Sequence, residues 1–225
     1  MLEKVKQISF IAIEAGLYCV FIAMDIIGKD STLVKYFGVV ACFLFALSCV
    51  NCGKDSVFVC LALLFTLVAD WFLLVVNERF VFGVCAFLIV QSIYFLRLTK
   101  DGVKPLRSAL TRVFIIIVVM IVISLLKLLD LLTALVAVYF VSLVANTADA
   151  YTLFGKGVKS KLFAIGMSLF VLCDLSVGFN NLSSYVDVSA ISGFIKVASF
   201  AMWVFYLPSQ VLIALSCKGD KDVKQ

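Results

Sequence analysis

The chain contains no histidine. Its absence removes the commonest metal ligand and the commonest general base together, so neither a histidine metal site nor a histidine-activated nucleophile is available. Proline is nearly missing too, with 2 residues in 225, and charged residues make up only 15%. There is no Pro-rich, Gly/Ser-rich or long polar stretch to serve as a linker. Residues 1–225 therefore read as one domain.

What fills the chain instead is apolar: 64% of residues are hydrophobic and the mean hydropathy is +1.17. A soluble domain has no use for that much apolar surface, whereas a polytopic membrane protein does. The net charge of +5 comes from basic residues clustered between apolar runs, which marks topology and not a nucleic-acid surface. The eight cysteines, Cys19, Cys42, Cys49, Cys52, Cys60, Cys85, Cys173 and Cys217, fall within or at the ends of those runs and read as small hydrophobes. Cys49 and Cys52 have CxxC spacing but no partner cysteines or histidines at ligand spacing, so no metal is assigned.

Apolar runs recur at Ile8–Ile27, Leu33–Val50, Val57–Val76, Val81–Leu96, Val113–Leu128, Leu131–Tyr151, Leu162–Val177 and Ile191–Ala214. Each approaches the length needed to cross a ~30 Å hydrocarbon core. Backbone polar groups in lipid must be paired within the segment, so the runs are helices. The first run carries Glu14 and lacks a small-residue cleavage pattern, so it reads as a span and not a signal peptide. With eight spans, the termini and the even-numbered connections share one side. That side holds 14 of the 19 basic residues, including Lys4, Lys6, Lys54, the series from Arg97 to Arg112, and Lys156 to Lys161. The bias predicts that both termini are cytoplasmic. The basic connection from Arg97 to Arg112 reads as a topology signal touching lipid head groups.

Ionisable groups inside such spans are expensive and mark functional sites. Asp70 lies within Leu67–Val76 and Asp174 within Gly166–Leu175. With ~1.5 Å rise per residue, each sits roughly 5 Å to the outer side of its helix midpoint, so the two can face each other. Lys35 opens the second helix within snorkelling reach of that level. Asp25, near the end of the first helix, reads as a solvated carboxylate. Glu14, Tyr18 and Asp25 share one helix face. So do Gln91 with Tyr94, Asn146 with Asp149, and Tyr206 with Gln210, which predicts a polar cavity within a ring of eight helices. For Tyr18, Tyr94 and Asn146 the plain alternative is interhelical hydrogen bonding. Asp70 followed by Gln91, and Asp174 followed by Gln210, also hint at two parallel four-helix halves.

Burial favours the protonated form of a carboxyl group, and a second carboxylate nearby favours it further on one of the two. A protonated and an ionised carboxyl side by side suit acid-catalysed cleavage of an acetal or enol ether. They equally suit proton-coupled transport. A lipid-binding membrane protein is the third alternative, in which both aspartates matter only for stability.

At these residues the chain resembles the YhhN-like lysoplasmalogenases. That family carries a GD-x-x-L stretch in its third helix, then a glycine, a phenylalanine and His-x-x-Tyr in the fourth. An LF-x-x-SD stretch follows in the seventh, and the chain ends on Tyr…AQ-x-L-I-x-x-S. Here stand Ala69-Asp70-Trp-Phe-Leu73, then Phe82-Gly83…Phe87…Gln91-Ser-Ile-Tyr94. Later come Gly166…Leu169-Phe170-Val-Leu-Cys173-Asp174 and Tyr206-Leu-Pro-Ser209-Gln210-Val-Leu-Ile-Ala-Leu-Ser216. Lys35 falls where the family tends to place a lysine. Ala69, Gln91 and Cys173 depart from the family's glycine, histidine and serine, and Gln91 cannot titrate.

The resemblance implies a multi-pass cell-membrane hydrolase that needs no cofactor and no metal. Its partners would be a lysophospholipid and membrane lipids, not nucleic acid. It would cleave the vinyl-ether bond of a lysoplasmalogen to a fatty aldehyde and glycerophosphocholine or glycerophosphoethanolamine. Asp70 and Asp174 would be its catalytic pair. Lys35, Gln91, Tyr94, Asn146, Tyr206 and Gln210 would line the substrate site, with the lipid phosphate near Lys35.

Overall fold

The computed structural model describes residues 2–181 and 192–217. Among the described residues it is all helical, with eight α-helices. They are α1 (Leu2–Ile26), α2 (Thr32–Ser48), α3 (Lys54–Asp70), α4 (Phe80–Lys100), α5 (Pro105–Leu125), α6 (Leu131–Thr152), α7 (Val158–Asn181) and α8 (Ser192–Leu215). Seven of them contain stretches long and apolar enough to cross a membrane, and α2 is the shorter exception. At 17 residues, α2 spans about 26 Å, less than the ~30 Å of a typical core.

Helix ends follow local chemistry. Gly28, at φ +68, takes the left-handed position that ends α1. The amide of Gly28 donates to Asp25 O, and that of Lys29 to Met24 O at 2.9 Å, the paired bonds of a Schellman stop. Pro105 sits in the first turn of α5, where its missing N–H costs nothing. Asp130 caps α6 by accepting the Thr133 amide at 2.7 Å, and that bond holds its carboxyl below the usual carboxylate range. The α5 boundary differs from the expected one. The helix starts at Pro105 and not at Val113, so Arg107 and Arg112 lie inside it.

Six helices close a ring in the order α2, α3, α4, α6, α7, α8, with α8 returning onto α2. α1 packs on α2 and α8, and α5 packs on α6. The two halves of the chain repeat this pattern. α1 lies on α2, α2 on α3 and α3 on α4, just as α5 lies on α6, α6 on α7 and α7 on α8; the halves join through α4 on α6 and α8 on α2.

Close approaches fix the registers. A Cβ on Gly166 of α7 would come within 3.0 Å of the Ser209 carbonyl of α8, so the glycine lets the two backbones nearly touch. A Cβ on Gly83 of α4 would fall 2.4 Å from Leu73 Cγ. Leu73 belongs to a π-helical turn, Trp71–Val75, that follows α3 directly. Pro208 interrupts the bonding of α8, because without an N–H it cannot pair the Val204 carbonyl. The Tyr18 hydroxyl of α1 donates to that carbonyl at 3.3 Å, which supplies the partner that lipid cannot.

Gly83→Ala should lower thermal stability in detergent by about 1–3 kcal/mol, the usual cost of overpacking. Gly16→Ala, whose new Cβ meets nothing within 4 Å, should leave the unfolding midpoint unchanged.

Candidate active site

The two expected carboxyls come from α3 and α7, helices of the ring. Asp70 is the last residue of α3, where the α-helical ladder gives way to the π turn. Such turns occur frequently at functional sites. Asp70 is 4% exposed. Both of its oxygens lie within hydrogen-bond reach of the Tyr206 hydroxyl of α8, at 2.7 and 2.8 Å. Tyrosine has one proton to give, so the hydroxyl straddles the carboxyl. Asp174 of α7 is an electrostatic neighbour of Asp70. Its Oδ2 is sealed from solvent and receives no hydrogen bond.

Aromatic rings wall the pair. Phe87 of α4 contacts Tyr139 of α6 at 5.5 Å and Phe170 of α7 at 5.7 Å. Phe170 in turn meets Tyr206 edge-on at 5.7 Å. The Tyr139 hydroxyl lies beside the Asp174 carboxyl. Cys173, buried beside both aspartates, occupies the position next to Asp174. The site is thus two carboxyls with unequal surroundings in an apolar box. Asp70 is held through both oxygens by the Tyr206 phenol, and Asp174 lies beside the Tyr139 phenol.

The remaining expected site residues do not join this pair around a single cavity. Gln91 and Asn146 form a second cluster, one turn of α4 beyond Phe87. There Asn146 Nδ2 donates to the Gln91 carbonyl at 2.9 Å and to its Oε1 at 2.8 Å. Arg112 donates to Asn146 Oδ1 at 2.9 Å and to Asp149 Oδ2 at 2.6 Å. Tyr94 packs edge-on against Phe163 at 5.2 Å, with its hydroxyl unbonded. Gln210 donates to Ser209 Oγ at 3.2 Å and leaves its Oε1 unbonded. Lys35 does not turn to the aspartate pair. It binds Asp25 at 2.8 Å, and its ammonium sits over the Trp203 ring at 4.7 Å.

Arg97 and Arg112 also depart from their expected place at lipid head groups. Arg97 is 2% exposed and grips Asp55 with two bonds, at 2.8 and 2.9 Å. It also donates to the Ser216 carbonyl at 3.0 Å, so α3, α4 and the end of α8 are tied at one point. Lys159 of α7 adds a contact to Asp55 at 2.9 Å. These cations have internal partners.

Tyr139 was not singled out from the sequence, although its spacing of seven from Asn146 puts both on one face of α6. Trp203 carried no signal beyond being an aromatic in an apolar run. The seven described cysteines form no disulfide.

An all-helical bundle with seven membrane-length apolar helices, Asp70 buried inside it and Asp174 half-buried beside it, defines a polytopic membrane protein. The chain belongs to the YhhN family, whose model matches residues 31–217. No curated protein and no solved structure matches it.

Replacing Tyr206 with Phe removes the sole hydrogen-bond donor seen on Asp70 among the described residues. Leaving a buried polar group unpaired costs about 1–3 kcal/mol. Tyr206→Phe should therefore lower the unfolding midpoint in detergent, and Tyr206→Phe combined with Asp70→Asn should recover part of that loss.

Proposed function

We propose that this chain is a membrane hydrolase that cleaves the vinyl-ether bond of lysoplasmalogens. The products would be a fatty aldehyde and a glycerophosphocholine or glycerophosphoethanolamine. Membership of the YhhN family supports a reaction of this kind. The single observation that supports the reading is the presence of Asp70 and Asp174 as electrostatic neighbours inside the ring, the first pinned through both oxygens by Tyr206 and the second with its Oδ2 unbonded. Enol-ether cleavage needs two carboxyl roles: one group must give a proton to carbon, and one must steady the cation and direct water.

The unequal surroundings support one assignment of those roles. Asp174, with its unbonded oxygen, gives its proton to the vinyl carbon β to the ether oxygen, and an oxocarbenium ion forms at the carbon bearing that oxygen. Asp70, held in one orientation by Tyr206, stabilises that cation and takes a proton from the water that attacks it. The resulting hemiacetal collapses to the aldehyde, its C–O bond breaks, and the glycerol oxygen leaves as a hydroxyl. Net protons balance, since one carboxyl gives and the other receives. Gln91, standing where the family carries histidine, orients groups by hydrogen bonding and takes no part in proton transfer.

The test is aldehyde release from a lysoplasmalogen by purified protein, with the saturated alkyl-ether analogue run alongside. Wild-type protein should release aldehyde from the vinyl ether alone. Asp70→Asn and Asp174→Asn should each lower the rate by at least about 10²-fold, the usual worth of a positioned acid or base. Full activity in both folded variants would refute the mechanism. Substrate flux across proteoliposomes without chemical change would instead identify a proton-coupled transporter.

A further inference from the structure

Away from the carboxyl pair, at the turn between α1 and α2, three helices (α1, α2 and α8) converge on one charged recess. Asp25 ends the buried face of α1, and the Gly28 stop turns the chain so that Lys35, on the first turns of α2, comes back against it. Lys35 Nζ lies 2.8 Å from Asp25 Oδ2 and 3.1 Å from Oδ1. Ser31 also donates to Asp25 Oδ1. The ammonium is stacked between two rings, with Trp203 of α8 at 4.7 Å and Phe21 of α1 at 5.6 Å. Lys35 is 8% exposed. Trp203 then meets Tyr206 edge-on at 5.6 Å, and Tyr206 holds Asp70. Two rings therefore separate this recess from the reacting carboxyls.

We propose that Asp25, Lys35 and Trp203 form a seat for a phosphate–ammonium zwitterion, and that a lysolipid head group binds there by exchanging partners with the protein's own ion pair. The inference rests on the hydrolase reading for the identity of the lipid, but not for the chemistry of the seat. A phosphate takes Lys35, and the ammonium takes Asp25 and the face of Trp203, where the lysine cation now lies. The exchange leaves no charge unpaired, and this makes a zwitterion a better guest than an anion. A purely anionic head group would satisfy Lys35 but strand Asp25 beside a second negative charge, in surroundings where unpaired charge is costly. Aromatic faces bind ammonium groups well when partly desolvated. Asp25 and Phe21 precede the family-matched residues, whereas Lys35 and Trp203 lie within them.

The test reads binding and needs no turnover. The chain has two tryptophans, so in Trp71→Phe protein the emission reports on Trp203 alone. Saturated 1-alkyl lysophosphocholine, which the proposed chemistry cannot cleave, is titrated beside the corresponding 1-alkyl lysophosphatidic acid. The zwitterion should bind about tenfold tighter, the scale of one cation–π and ion-pair contact in a partly desolvated site. D25N should abolish that preference, D25E should keep it, and K35Q should weaken both ligands. Soluble glycerophosphocholine should compete. Equal affinities in wild type, a preference that survives D25N, or no competition would overturn the proposal. Thermal unfolding of each variant shows that it is folded. Should aldehyde release fail while the preference holds, the hydrolase reading falls and the seat stands; the reverse result removes the seat alone.

Discussion

The hydrogen bond from Tyr206 to Asp70 joins residues 136 positions apart, and most of the bundle is arranged so that it can form. A carboxyl group in hydrocarbon needs a partner from another helix, since its own backbone is already engaged. Bringing α8 to α3 at that depth requires α7 and α8 to touch backbone to backbone at Gly166, and α4 to close on the π turn at Gly83. The aromatic box then follows, because Phe87, Tyr139 and Phe170 fill the space between helices that those contacts have set. The chemistry of the site is therefore fixed by helix spacing as much as by the two carboxyls.

The polar interior is organised in layers. The carboxyl pair occupies one level, the Gln91–Asn146–Arg112–Asp149 cluster another, and the Arg97–Asp55 grip a third. Apolar and aromatic residues separate them, and in the two arginine levels each guanidinium is paired with a carboxylate of its own level. Such an arrangement confines a change in protonation at the centre to its immediate neighbours. The repeated packing of α1–α4 and α5–α8 gives the layers their symmetry: Asp70 and Asp174 come from corresponding helices, third and seventh.

The helices and the pair were legible because both announce themselves locally. A long apolar run can only be a helix in lipid, and a carboxylate inside one has few innocent explanations. The basic clusters misled for a related reason. Positive charge flanking a span follows a rule of distribution, and that rule is blind to whether Arg97 or Arg112 finds a partner inside the protein. Asp55 and Asp149, which supply those partners, lie on other helices, so no local pattern reveals the pairing. Lys35 was expected near the level of the aspartate pair, but the Gly28 stop decides which way the chain re-enters and sets its ammonium on Asp25. Tyr139 was not singled out, although its spacing of seven from Asn146 on one face of α6 carried a signal. The π turn after Asp70 leaves no mark in composition, since it arises from how α3 is received by α4.

The hydrogen bond between Tyr18 and the Val204 carbonyl has a consequence for biogenesis. The first helix of the chain holds the group that completes the last one, and the carbonyl exposed by Pro208 exists only once α8 has entered the membrane. A chain emerging from its N-terminus must keep α1 within reach, loosely associated, through the insertion of six further helices before that contact can close. Sealing of the bundle thus waits for α8, and a chain halted before it would leave the Tyr18 hydroxyl without that partner, whereas Glu14 would keep its contact with Cys42 of α2.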